Sequence, residues 1–96
     1  MDKKLKEDLL TSYEILEDMH NSIMANELFT TELIEEAETA ISYLKLYDLT
    51  DAEQIRAVND TVELLEDELK LNEKIKLNRE KIISRTYLVK GQMNHV

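Results

Sequence analysis

Glu17 and His20 are residues whose types and spacing could support metal chemistry. They stand three apart in the stretch EDMH, which places both side chains on one face of a helix. A Glu-x-x-His pair from each of two helices, with further glutamates, builds the carboxylate di-metal centre of some helical bundles. This chain has one such pair, and its other histidine is His95, near the C-terminus. We therefore interpret His20 as a solvated histidine and expect neither a metal nor any other cofactor.

Few residues of the chain could support nucleophilic catalysis. The chain has no cysteine, no proline and a single glycine. Its serines have no strand-turn-helix elbow around them, and one glycine cannot form a phosphate-cradling loop. We expect a protein that is not an enzyme.

The composition predicts the elements that must position any functional group. Sheets and loop-rich enzymes need glycine and proline turns, which are missing from these 96 residues. Leu, Glu, Lys, Ala and Met, which favour helices, dominate. No apolar run reaches the ~18 residues that span a bilayer, no apolar signal core follows the first lysines, and the absence of cysteine is typical of a reducing compartment. The sequence predicts an all-α cytoplasmic protein without membrane contact.

Apolar residues recur at helical spacing from Leu5 to Tyr47. The heptad register runs through the stretch ANELFTT without a slip, although either of its threonines could cap a new helix. We expect one helix over about residues 2–47. Three helices in total, with a break near residues 26–31, are the alternative.

The stretch LYDLTDAEQI predicts the end of this helix and the start of the next. Thr50 followed by Glu53 is the capping-box pattern, in which the threonine side chain caps the new helix. We expect a turn at residues 47–50 and a second helix over about residues 51–90.

The sequence predicts one helical domain, residues 1–90, folded as an antiparallel hairpin. Gly91 stands where a left-handed glycine would end the second helix, so residues 91–96 should form a frayed tail. Within the second helix the apolar stripe shifts sideways near Leu71, as after a stammer in a coiled coil. The second half of this helix should therefore face something additional.

Basic residues are concentrated at the C-terminal end of an acidic chain. Residues 1–69 carry 19 acidic and 5 basic side chains, residues 70–96 carry 2 and 7, and the formal net charge is −9. In an antiparallel hairpin, residues 70–90 would lie beside residues 7–27, which contain acids and no base. We interpret the basic stretch as the complement of that acidic stretch, setting the pairing of two helices or of two chains, and expect no direct nucleic-acid binding.

The apolar stripe is wider than a two-helix hairpin can cover. A coiled-coil seam uses two positions in seven, whereas a bundle face uses three or more. We therefore expect a homodimer that forms a helical bundle. The residues expected to mediate self-association are Ile15, Phe29, Ile34, Ile41, Tyr43, Leu71, Ile75 and Ile82.

The turn end of the hairpin is strongly acidic. Between Leu28 and Leu69 there are 12 acidic side chains against Lys45 and Arg56. Folding the chain near Leu49 would bring these acids to similar height, as one negative surface for a basic partner. The residues expected to bind that partner are Glu32, Glu35, Glu38, Glu63, Glu66 and Asp67.

These features predict a small acidic protein–protein interaction module that acts as an adaptor, chaperone or inhibitor. The alternative is an acidic decoy of viral or mobile-element type, which occupies the nucleic-acid site of a basic DNA- or RNA-binding protein. Salt distinguishes them, because a decoy complex weakens steeply with ionic strength and a helix-in-groove complex does not.

Overall fold

Three α-helices, arranged up-down-up, make up the protein in a computed structural model that describes residues 2–93. Helix α1 spans Lys3–Met24, α2 spans Thr31–Lys45 and α3 spans Ala52–Met93. The all-α prediction is confirmed, since the described residues contain no strand. None of the three helices has an apolar stretch long enough to cross a membrane.

The chain breaks between α1 and α2, so the expected continuous helix over residues 2–47 is wrong and the three-helix alternative holds. Asn26 has a left-handed φ of 59°, a conformation that asparagine tolerates better than most residues. Thr30 then caps α2, and its Oγ1 accepts a hydrogen bond from the Leu33 N–H at 3.1 Å.

Asp51 caps α3. Its Oδ1 accepts hydrogen bonds from the backbone N–H groups of Glu53 at 2.8 Å and Gln54 at 3.2 Å. The predicted Thr50 cap is wrong, because the aspartate one residue later supplies the acceptor. The predicted turn at residues 47–50 lies within the linker between α2 and α3.

The C-terminal end of α3 also differs from the prediction. The helix continues through Gly91, which has no positive φ, to Met93. The predicted glycine cap is therefore wrong, and residues 91–93 are helical instead of frayed. The rest of the predicted tail, residues 94–96, lies outside the described residues.

The core lies where all three helices meet. It combines apolar residues of α1 and α2 that recur at heptad spacing with two from the first half of α3 and one from the α1–α2 linker. The buried apolar residues are Leu5, Leu9, Ile15, Met19, Phe29, Leu33, Ala37, Ala40, Leu44, Val58 and Leu65. Burying a side chain of this size stabilises the fold by about 1.5–3 kcal/mol.

The break also changes how the first and last helices are related. Tyr47 Oη donates a hydrogen bond of 2.5 Å to Asp8 Oδ2 near the start of α1. At the other end, the Phe29 N–H donates a buried hydrogen bond of 2.9 Å to Asn72 Oδ1 of α3. Helix α3 therefore runs parallel to α1 and antiparallel to α2. The two-helix hairpin, with the basic stretch paired antiparallel to the start of the chain, is wrong.

Helix α3 is much longer than the helices against which it packs. It has 42 residues, against 22 in α1 and 15 in α2, and at ~1.5 Å per residue it is about 63 Å long. The whole molecule measures 68 × 20 × 18 Å. From Glu80 to Met93 every residue of α3 is exposed. We call residues 74–93 the arm.

Candidate docking surfaces

Two polar contacts to the α1–α2 linker hold the base of the arm. Asn72, which is buried in α3, accepts the hydrogen bond from Phe29 described above. One turn into the arm, Arg79 Nη2 donates to the carbonyl oxygen of Asn26 at 2.8 Å and to its side-chain Oδ1 at 2.9 Å. These contacts fix the direction in which α3 leaves the bundle.

An apolar stripe runs along one side of the arm. Ile75, Ile82 and Val89 follow one another at seven-residue intervals, or about two helical turns, so they share a face. Leu71 and Met93 extend this face at its two ends. Ile82 is 56% exposed, Val89 52% and Met93 70%. We call these five residues the arm stripe. Ile75 is half-buried and the other four are exposed, and an exposed apolar row of this kind is typical of a binding surface.

The arm differs in charge from the rest of the molecule. Its side chains include six bases and one acid, whereas residues 1–73 carry 20 acids and 6 bases. Helical spacing places bases on both sides of the arm stripe: Lys74, Lys81 and Arg85 on one side, and Lys76, Arg79 and Lys90 on the other.

A second face of the arm continues the side of α3 that packs in the bundle. Eighteen residues make about five turns of α-helix, so Ile83 lies above Leu65 on the same side of α3. Leu65 is 0% exposed and Ile83 is 55% exposed. The same spacing relates Lys76, Arg79, Tyr87 and Lys90 to the bundle residues Val58, Thr61, Leu69 and Asn72. We call Lys76, Arg79, Ile83, Tyr87 and Lys90 the inner face of the arm.

A groove between α1 and α2 is lined without any contribution from α3. Its rim carries carboxylates from both helices and its floor is apolar. Among residues 2–93, no lysine or arginine lines it. The carboxylates are Glu14, Asp18, Glu32, Glu35 and Glu36, and they surround Thr11, Ile15, Thr39, Ala40 and Tyr43. We call it the acidic groove.

The structure divides the six predicted acidic residues, so the single negative surface predicted from the sequence is not formed. Glu32 and Glu35 line the acidic groove. Glu63, Glu66 and Asp67 line a different groove, between the C-terminal end of α2 and α3. Glu38 is exposed and lines neither groove.

The groove between α2 and α3 contains cations as well as acids. Lys45 Nζ lies 3.3 Å from Glu66 Oε1, and Lys70 lines the same groove. Local cations therefore offset part of the negative charge here. In the acidic groove, by contrast, the lining residues supply no cation.

The predicted self-association residues also fall into separate groups. Ile15 and Phe29 belong to the core of the single chain, at 7% and 6% exposed, and Ile15 also lies in the lining of the acidic groove. Their role in self-association stays a prediction, and because both are buried they offer little apolar surface to a second chain. Ile34, Ile41 and Ile75 are half-buried, whereas Tyr43, Leu71 and Ile82 are exposed.

Glu17 and His20 lie exposed on α1. Among residues 2–93, no three His, Cys, Asp or Glu side chains come together in a way that could hold a metal ion. Burial, followed by the hydrogen bond to Asp8, raises the pKa of Tyr47 to about 12. That contact ties the end of α2 to α1, and its role is structural.

The molecule thus has a basic, partly apolar arm and an acidic groove as its two most distinct surfaces. No family model, curated protein or solved structure matches the chain in comparisons with known proteins. The functional proposal therefore rests on the chemistry and placement of these two surfaces.

Proposed function

We propose that the protein is a protein–protein interaction module that binds its partner through the arm stripe. One observation supports this most strongly: α3 continues beyond the bundle and exposes large apolar side chains along its whole second half. Most of the stability of a helix in a protein comes from tertiary packing of its apolar face, and the arm lacks such packing in the single chain. A docked protein would bury the arm stripe and stabilise this helix.

The mode of binding is a helix in a groove. Helix-in-groove complexes place an apolar face, read at three- and four-residue spacing, into an apolar cleft. The bases on both sides of the arm stripe would meet acidic residues at the rim of that cleft. The partner of the arm is therefore a protein groove with an apolar floor and an acidic rim. Adaptors, chaperones and inhibitors all bind in this way.

The decoy function and the basic partner predicted from the sequence have weaker support. Both need a continuous acidic surface, and the predicted acids lie in two grooves, one of which contains Lys45 and Lys70. A nucleic-acid mimic imitates negative charge, so a basic arm does not fit that role. The cytoplasmic location and the absence of catalysis stay predictions.

Capture of a partner from native-host lysate by the immobilised full chain tests the proposal. The variant Ile82→Ser with Val89→Ser alters the arm stripe at two exposed positions. The matched control, Leu77→Ser with Leu88→Ser, alters two exposed aliphatic residues, 50% and 67% exposed, on other sides of the arm.

We expect the stripe variant to lose captured partner by more than about tenfold, and the control to retain it, because burying each aliphatic side chain contributes about 1.5–3 kcal/mol. Capture by the wild type should persist when the salt concentration is raised. Equal losses in both variants, or none in either, would contradict the proposal. Capture that disappears at high salt would favour the decoy alternative over the proposed function.

A further inference from the structure

We propose that the inner face of the arm docks in the acidic groove of a second copy of the chain. In the resulting two-fold dimer, each arm occupies the groove of the other copy. The apolar residues of the inner face are distinct from the arm stripe, although Lys76, Arg79 and Lys90 also flank that stripe. The inference rests on the premise of the proposed function that the arm is a docking element.

The two surfaces are complementary in charge. The inner face carries the cations Lys76 and Lys90, with Ile83 and Tyr87 between them, whereas Arg79 is bonded to Asn26 of its own chain. The acidic groove offers five carboxylates around an apolar floor and contains no cation. Complementary charges speed encounter and fix orientation at an interface, while apolar side chains between them supply burial. Each chain therefore carries both halves of one interface.

The arm cannot reach the acidic groove of its own chain. Helix α3 is continuous from Ala52 to Met93 and has no proline at which to kink. The bond from Arg79 to Asn26 further fixes the arm as it leaves the bundle. The arm therefore extends past the end of the α1–α2 hairpin, and only another molecule can bring its groove alongside.

The helix lengths fit a closed dimer. Two α1 helices of 22 residues, placed end to end, measure about 66 Å, and α3 with its 42 residues measures about 63 Å. Two antiparallel α3 helices can therefore enclose two α1–α2 hairpins, one at each end. The inner face lies on the same side of α3 as its own hairpin, which is the side that faces the second hairpin.

Each end of this dimer is a four-helix bundle. It contains α1, α2 and the first half of α3 from one chain, together with the arm of the other, and bundles of this kind are a common way to cover a wide apolar face. The two-fold arrangement uses the same contact twice and closes on itself. Much of the arm stripe stays uncovered, so the dimer would present it twice to a partner.

Sedimentation equilibrium of the full chain, with charge reversals, tests the dimer. The arm variant is Lys76→Glu with Lys90→Glu, which leaves the Arg79 contact in place. Its matched control is Lys74→Glu with Lys81→Glu, which makes the same charge change on another side of the arm. The groove variant is Glu14→Lys with Glu35→Lys.

We expect the wild type and the control to sediment as dimers of the 11.3 kDa chain. The arm variant and the groove variant should each weaken dimerisation by about tenfold or more, because like charges then meet at both interfaces. An equimolar mixture of the two variants should restore the dimer. In the mixture each reversed arm meets a reversed groove, and each original arm meets an original groove.

A monomeric wild type, an arm variant that dimerises as well as the control, or a mixture that stays monomeric would each overturn the dimer. Circular dichroism of both variants shows whether they remain folded. The proposed function is tested separately: a monomer that still captures its partner through the arm stripe overturns only the dimer, and a dimer without such capture overturns only the proposed function.

Discussion

The two halves of α3 are one continuous helix with two different environments. Leu65 lies in the core at 0% exposed, and Ile83, about five turns further along the same side, is 55% exposed. The first half has a hairpin to pack against and the second half has none in the single chain. The comparison shows that the first half of α3 serves the fold, and it supports a binding role for the second half.

The largest expected difference in stability is between Leu65→Ala and Ile83→Ala, which shorten side chains at equivalent positions of the two halves of α3. Leu65→Ala should lower the free energy of unfolding by about 2–5 kcal/mol, because it removes buried methyl groups and leaves a cavity. Ile83→Ala should change it by less than about 0.5 kcal/mol in dilute, monomeric protein. Urea unfolding followed by circular dichroism measures both. Equal destabilisation would mean that the arm packs against its own bundle.

Two asparagines of α3 show the same contrast between a buried and an exposed position. Asn72 is 6% exposed and accepts the hydrogen bond of the Phe29 N–H, whereas Asn78 is exposed. Asn72→Leu should cost about 1–3 kcal/mol, because it leaves a buried backbone donor without a partner. Asn78→Leu is the control and should have little effect in dilute protein. Thermal unfolding of both variants provides the test. An Asn72→Leu protein as stable as the wild type would show that the hydrogen bond from the Phe29 N–H to Asn72 does not stabilise the fold.

A smaller loss of stability is expected from removing the cap at the start of α3. Asp51→Ala should cost about 1 kcal/mol, because two N–H groups at the end of the helix lose their acceptor. Thr50→Ala should cost less, since its neighbour is the cap. Chemical denaturation of the two variants would contradict this assignment if the threonine change proved the more damaging.

The smallest predicted effect concerns pH. The pKa of Tyr47 is raised from the ordinary value of 10.0 to about 12 in the folded protein, so the fold binds this proton more tightly than the unfolded chain does. The associated stabilisation is fully present below pH 10 and is lost as pH rises towards about 12.

The variant Tyr47→Phe tests the pH prediction. The variant lacks the titrating hydroxyl, so its stability relative to the wild type should rise over that pH range. Tyr87→Phe in the arm, where the side chain is 70% exposed, is the control. Thermal melts at pH 9 and pH 11 measure the difference. A wild type and a Tyr47→Phe variant that lose stability in parallel would contradict it.

Much of the core could be predicted from heptad spacing. Leu9, Ala37 and Leu44 share one position of the heptad repeat, Leu5, Met19 and Leu33 share another, and all six are buried. The periodicity reports which side of a helix faces the core. It does not report where the chain turns, because the same heptad positions face the core before and after the α1–α2 linker.

The turn at Asn26 decided the rest of the architecture. The linker contains no glycine or proline, and asparagine in a left-handed conformation is a weaker signal than either. Without this turn the sequence predicts α3 antiparallel to α1, with residues 70–90 beside residues 7–27, whereas in the structure residues 80–93 are exposed. The capping potential of Thr30 was the one local sign of the break.

The acidic groove was missed for the same reason. Its carboxylates come from α1 and α2, and Glu14 and Asp18 meet Glu32 and Glu36 only if these two helices pack side by side. The spacing of four residues within each pair indicates a shared face. The proposed binding role of the arm agrees in part with the sequence, because the sideways shift of the apolar stripe indicates that the end of α3 faces something beyond the hairpin.

Hydrogen exchange of the full chain at two concentrations tests most directly the claim that a docked protein stabilises the arm. At high concentration, where the dimer forms, amides of residues 80–93 should be protected, and after dilution to the monomer they should exchange close to the rate of an unfolded chain. Amides around Leu65 should stay protected at both concentrations. Protection of the arm that does not change with dilution would contradict the account.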